Sequence, residues 1–186
     1  MKTFYFLLMF TSLLFASLDD DLSTINSMYK NADYKKACRF GANKILKYRE
    51  SETFVSIFAF SCVEADQIDK SASAAVLLKQ SPKARANALY FSTLLLQKKI
   101  LLHAMFDDFK ISSLTLPSTN HILSKVFDLY MQYRYNNGTK LDLYKFTDKN
   151  NPNESYEMYK TTESGDQKVV IKHYLNNKLL NTHKYW

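Results

Sequence analysis

Apolar residues recur at helical spacing through most of the chain, and the pattern shortens to strand-like alternation near the C-terminus. Leu22, Ile25, Met28 and Tyr29 form the first helical face. Asp19, Asp20 and Asp21 precede it, where a helix dipole favours negative charge. Asn31-Ala32 breaks the pattern, and Asp33 is suited to cap a second helix carrying Tyr34, Ala37, Cys38, Gly41, Ile45 and Tyr48. Phe54, Ile57, Phe58, Ser61 and Cys62 predict a third helix over 51–65. Asp69 is placed to cap a short Ala-rich fourth that reaches Gln80. Ser81-Pro82 marks the clearest boundary, because Ser accepts from orphan amides and Pro suits the first helical position. The helix opened there runs to Phe106 and is apolar on most sides, as a central bundle helix would be. Gln97-Lys98-Lys99 interrupts it and argues against a membrane span. Pro117-Ser118 opens another helix with Ile122, Val126, Phe127 and Tyr130.

From Met131 the chain becomes rich in Tyr, Thr, Val, Lys and Asn. Asn137-Gly138 fits a hairpin turn, since both residues tolerate positive φ. It equally fits a helix C-cap behind Tyr135; of the two, the hairpin is the reading taken forward. Strand-like runs follow over 141–147, 155–161, 168–175 and 178–186, separated by turn clusters at 148–153, Ser164-Gly165-Asp166 and Asn176-Asn177. The predicted fold class is α+β: N-terminal antiparallel α-helical hairpins over 17–130, then a small antiparallel β-meander over 131–186.

Residues 1–16 read differently. Met1-Lys2 is followed by an apolar run from Phe4 to Phe15, then Ala16 and the acidic 19–21 stretch. This is the layout of a secretory signal peptide, too short to span a bilayer. The expectation is an exported protein, periplasmic or secreted and soluble after cleavage, with no membrane span in its mature form.

Lys and Arg number 25 against 18 acids, a net charge of +7. In an exported chain that excess suits anionic surfaces, polysaccharides or acidic proteins better than nucleic acid. Only three glycines occur, too few for the loops that cradle phosphates or dinucleotides. NTPase and Rossmann chemistry are thereby excluded.

The stretch Met28-Tyr29-Lys30-Asn31-Ala32-Asp33-Tyr34-Lys35-Lys36-Ala37 resembles the central turn of a tetratricopeptide repeat. Ala59 and Ser71 give a weaker echo in the next helix pair, and the resemblance covers residues 19–106. Gly41 departs from it, standing where the family carries a large aromatic. The resemblance implies protein or peptide binding on a concave surface, without catalysis.

Cys38 and Cys62 are the only cysteines, and an exported chain with two invites a disulfide. They are equidistant in sequence from Glu50, so antiparallel helices turning there set them at one height. Of the histidines, His103 reads as a hydrogen-bonded core residue on an apolar helix. A two-residue turn at Asn176-Asn177 pairs His173 with Leu180 and His183 with Val170, which keeps the two imidazoles apart and disfavours a metal site. Ser27-Met28-Tyr29-Lys30 has Ser-x-x-Lys spacing, but no Lys-Thr-Gly accompanies it. No catalytic motif, cofactor or metal set emerges.

The terminal sheet is the other candidate site. Tyr144, Tyr156, Tyr159, Lys172, Tyr174, Tyr185 and Trp186 interleave aromatics with lysine, a pattern able to stack on sugars while bridging anionic groups. The expected function is an exported, non-enzymatic adaptor that binds a protein partner in the envelope or extracellular space. The alternative is a carbohydrate- or cell-wall-binding module, with an anionic glycan on the Tyr/Lys sheet.

Overall fold

The structure is a computed structural model that describes residues 17–107, 109, 115–137 and 141–186. The expected signal peptide, residues 1–16, lies outside them, as does Gly138 of the expected hairpin turn. Among the described residues, six α-helices precede a four-stranded antiparallel sheet, an α+β layout. The helices are α1 (17–30), α2 (Tyr34–Lys44), α3 (Glu52–Glu64), α4 (Ala72–Leu77), α5 (Pro82–Phe106) and α6 (Ile122–Asn137). The strands are β1 (Leu143–Thr147), β2 (Glu154–Glu163), β3 (Asp166–Leu175) and β4 (Lys178–Tyr185). Two compact units divide after Ala88. The first is called the helical unit below, and Leu89–Trp186 the sheet unit.

In the helical unit, α2 and α3 meet along Ala37, Cys38 and Gly41 on one side and Phe58 and Cys62 on the other, all of them buried or helix-facing. Gly41 is there because nothing larger fits. A Cβ at that position would lie 2.6 Å from Phe58 Cδ2 and 3.0 Å from Ile25 Cδ1. Cys38 and Cys62 form a disulfide across this contact, with Cα atoms 4.7 Å apart, as their equal spacing from Glu50 predicts. Ala32 takes a left-handed φ of 58° and turns the chain between α1 and α2. Asp21 does more than favour a dipole. Lys44 Nζ donates to it at 2.7 Å and the Tyr48 hydroxyl at 2.5 Å, tying α1 to the end of α2.

Two expected caps differ from their predictions. Asp33 stands before α2, but its carboxylate accepts no backbone amide; Lys36 Nζ takes it instead, at 3.2 Å. Asp69 lies inside a 3₁₀ turn, Ile68–Ser71, rather than capping a helix. Ser51 and Ser81 do cap, accepting from Phe54 N and Ala84 N. Glu52 reinforces the second cap by accepting from the amides of Gln80 and Ser81.

In the sheet unit, α6 continues to Asn137. The hairpin reading of Asn137-Gly138 is therefore corrected, because the residues before the turn are helical and cannot supply its first strand. Ser164-Gly165 and Asn176-Asn177 carry positive φ at both positions. That is the signature of two-residue hairpin turns whose twist suits the flanking strands. The sheet order is β1-β2-β3-β4, the meander predicted.

Register corrects one expectation. A β-bulge between His173 and Tyr174 pairs His173 with Asn181 and His183 with Ile171, not with Leu180 and Val170. One extra residue in the ladder changes the face of everything beyond it. It places His173 and His183 on one face, and it turns Tyr185, opposite Val169, inward. The inner face then reads Tyr144, Tyr156, Met158, Val169, Ile171 and Tyr185, all buried. Leu123, Val126, Phe127 and Tyr130 of α6 are buried as well, and Tyr130 and Tyr133 meet the Tyr144 ring edge-on at 5.1 and 5.5 Å.

Within the polar break of α5, Gln97 and Lys98 are buried and Lys99 is exposed. Gln97 Nε2 donates to Pro117 O at 3.1 Å, and Lys98 Nζ donates to the Trp186 backbone oxygen. No helix among the described residues is long and apolar enough to cross a membrane.

Candidate functional site

Strand alternation divides the predicted aromatic set. Tyr144, Tyr156 and Tyr185 point inward and are buried, so a ligand cannot reach them without opening the core. Tyr159, Lys172 and Tyr174 lie on the outer face, and Trp186 is half exposed at the sheet's end. Sequence alone does not separate the two groups, since tyrosine suits both a buried and an exposed strand position.

The outer face is a lattice of paired charges. Glu157 sits at its centre on β2, opposite Lys145 on β1 and Lys172 on β3. It accepts from the Tyr174 hydroxyl at 2.9 Å and lies 3.1 Å from Lys145 Nζ. The bonds from Lys145 and Tyr174 hold its carboxyl below the usual range, and the same carboxylate raises the Tyr174 phenol. Lys172 Nζ stands over the Tyr159 ring at 5.6 Å, and Lys168 Nζ over Trp186 at 5.6 Å. Glu163 takes both Lys184, at 2.8 Å, and Lys168, at 3.3 Å. Beside Glu157 the surface sinks into a depression of about 410 Å³, whose rim includes Lys145, Thr147, Pro152, Ser155, Tyr174 and Asn177.

A second cluster, not foreseen from sequence, joins α6 to the strand ends. His173 Nε2 lies 2.8 Å from Glu154 Oε1, and Lys125 Nζ lies 3.6 Å from the same atom. The Tyr156 hydroxyl donates to Asp148 Oδ2 at 3.3 Å, and its ring stacks on His173 at 5.2 Å. Asp148 also accepts the amides of Asn150 and Asn151 and so shapes the β1–β2 loop. Those amides outweigh burial and keep its carboxyl low. Burial tends to raise Glu154, but Tyr156, Lys125 and His173 together lower it. Burial and the two carboxylates push the Tyr156 phenol well up. The only early signal was composition: His, Glu and Asp flanking turns. Close ion pairs and hydrogen bonds tie these groups together, though His173 Nε2 faces Glu154 without hydrogen-bond alignment. The arrangement suits a structural clasp better than a reactive centre.

His103 corrects its prediction: it is exposed, pairs with Asp107 at 2.8 Å and stacks on Phe109. Among the described residues no three His, Cys, Asp or Glu side chains converge as a metal ion would require.

The helical unit has its own concavity, a groove of about 350 Å³ between α3 and the first turns of α5. Ile57, Phe60 and Ala84 give it an apolar floor, with Ser56, Lys83 and Asn87 on its rim. Asn87 Nδ2 donates to Ser56 Oγ at 3.0 Å across it. No protein-family model matches the chain, and no curated protein or solved structure is significantly similar to it.

Proposed function

We propose that this chain is an exported, non-enzymatic adaptor whose helical unit receives a segment of a partner protein in the groove between α3 and α5. The observation that carries the reading is the groove itself, apolar along Ile57 and Phe60 and polar at its rim. Grooves of this kind accept an apolar anchor while rim groups set orientation. Glu52 keeps its negative charge while accepting the amides of Gln80 and Ser81, so with Lys83 the groove offers one charge of each sign to polar groups flanking that anchor. The Cys38–Cys62 bond fixes α3 against α2 and so limits the ordering cost of binding. Export rests on the character of residues 1–16 together with the disulfide. The tetratricopeptide-like turn at 28–37 is in keeping with a helical-hairpin binder.

The test is position-specific photocrosslinking in the native host. A photoreactive residue at Thr53 or Lys83 is expected to give one discrete adduct that Ile57→Asp abolishes, while a probe at Leu46 gives none. Equal labelling from all three positions, or adducts indifferent to Ile57→Asp, would reject the groove. Intact mass of the exported fraction checks the address: loss of residues 1–16 is expected, and a full-length cytoplasmic product would contradict it.

A second reading is favoured by the depression beside Glu157: the outer face of the sheet binds carbohydrate. Tyr174, Tyr159 and Trp186 supply aromatic surface there, and lysines and glutamates supply polar contacts.

A further inference from the structure

Resting on that second reading, we infer that the depression beside Glu157 is a subsite for one ring of a neutral saccharide, not for an anionic one. The charges around it select the ligand. Glu157 is the acceptor at its edge, and Lys145, 3.1 Å away, is the one cation on its rim. The pair is locally neutral. An incoming carboxylate or sulfate would have to take Lys145 from Glu157 and then lie against the carboxylate left behind, and like charges at such range repel. A neutral polyol meets no such penalty. One hydroxyl donates to Glu157, a vicinal one accepts from Lys145, and both protein groups keep their charged states.

The rest of the rim fits the same ligand. Thr147 and Ser155 offer hydroxyls that donate and accept, and Asn177 offers an amide that does both. Tyr174 and Pro152 supply the apolar wall that the C–H face of a sugar ring requires. The hydroxyl of Tyr174 is fixed on Glu157 at 2.9 Å, so its ring is held in place before any ligand arrives. The backbone beneath is also fixed: Asn177 belongs to the β3–β4 turn, with φ at 62°, and Ser155 pairs with Tyr174 in the ladder. Among the described residues no other outer-face lysine lines the depression, although Lys172 also acts on Glu157 from across the ladder. Lys168 and Lys184 are held by Glu163, and Lys172 stands over Tyr159.

The test is an amide chemical-shift titration of the intact mature chain with two sets of probes. One set holds glucose, galactose, N-acetylglucosamine and their short oligomers; the other holds the corresponding uronates and a sulfated oligosaccharide. At least one neutral oligomer is expected to shift Lys145, Ser155, Glu157, Tyr174 and Asn177 together, in a saturable way. Tyr174→Ala and Glu157→Gln are each expected to weaken that affinity about tenfold or more, and Tyr174→Phe to retain more of it than Tyr174→Ala. If Tyr174→Ala does not fold, Glu157→Gln with an unchanged circular dichroism spectrum decides alone. Binding confined to the anionic probes, with shifts at Lys168 and Lys184, would overturn this inference while upholding a glycan-binding sheet. No saturable shift on the outer face with either set would overturn both. Neutral-sugar binding indifferent to Glu157→Gln would place the site elsewhere and also overturn it.

Discussion

The two units reach order by different routes. In the helical unit a covalent bond and an absent side chain fix one contact: Cys38 joins Cys62, and Gly41 lets Phe58 close in. The sheet unit has neither device. Its strands are fixed by turns, by a bulge that sets register, and by buried phenols and ion pairs along the inner face. The difference matters for how each fails. A crosslink acts chiefly on the unfolded chain, by limiting where it can go. Buried rings act on the folded state and lose contacts when trimmed.

The largest effect is expected where the sheet unit is least redundant. Tyr144→Ala removes a buried ring that meets both Tyr130 and Tyr133. It should cost about 3–5 kcal/mol, read from hydrogen exchange of β2 and β3 in denaturant. A cost below about 1 kcal/mol would mean that the sheet does not depend on its inner phenols. Replacing Cys38 and Cys62 by serine should cost about 3 kcal/mol, seen as faster exchange in α2 and α3. An unchanged unfolding midpoint would remove the covalent half of the contrast. Gly41→Ala sets two tendencies against each other. Alanine favours a helix by up to about 1 kcal/mol, but its Cβ would stand 2.6 Å from Phe58 Cδ2 and 2.8 Å from Phe58 Cβ. Overpacking should win, with a net loss of about 1–3 kcal/mol; a stabilised variant would show that Phe58 yields.

Acid sharpens the comparison with the smallest expected effect. In the helical unit, Asp21 and Glu52 are carboxylates held low. The sheet unit has Asp148, Glu154, Glu157 and Glu163. A carboxyl held low in the folded state adds stability that is complete above its unfolded value and is lost as pH falls through its folded one. Both units should therefore be at full strength above about pH 5 and weaken below about pH 4. The sheet unit, with these four among the described residues, should lose exchange protection at the higher pH. The reverse order would show that Asp21, with Lys44 and Tyr48 on it, outweighs them.

Much of this architecture was legible because it is local. Apolar spacing marks α1 to α6, Ser81-Pro82 marks the start of α5, and Asn176-Asn177 marks a two-residue turn. The disulfide followed from equal distances to one turn. What sequence did not disclose depends on partners far along the chain. The bulge at His173 leaves no mark in the local pattern, and with it went the register of His173 and His183 and the inward turn of Tyr185. Asp33 and Asp69 have the chemistry of caps, but capping needs a backbone geometry that composition does not specify. The end of α6 was missed because Tyr and Asn suit strand, turn and helix end alike. The candidate site was half legible. The aromatic-and-lysine pattern pointed to the sheet, but the pairing of Glu157 with Lys145 and Tyr174 appears only once three strands lie side by side.

The position of the cystine in the chain gives assembly a direction. Both sulfurs are synthesised long before Leu143, the first residue of the sheet, and only 24 positions separate them. Loops of roughly ten residues close in about 10–100 ns, whereas elongation adds roughly 5–20 residues per second. A nascent chain thus brings its two thiols together many times over while most of its length is still unmade. The arrival of an oxidant, not the search for a partner, sets when the bond is sealed. With a single pair of cysteines there is no wrong pairing within one chain to undo. Where an oxidant meets the chain during synthesis, the leading segment alone suffices to form the bond, before any strand of the sheet exists.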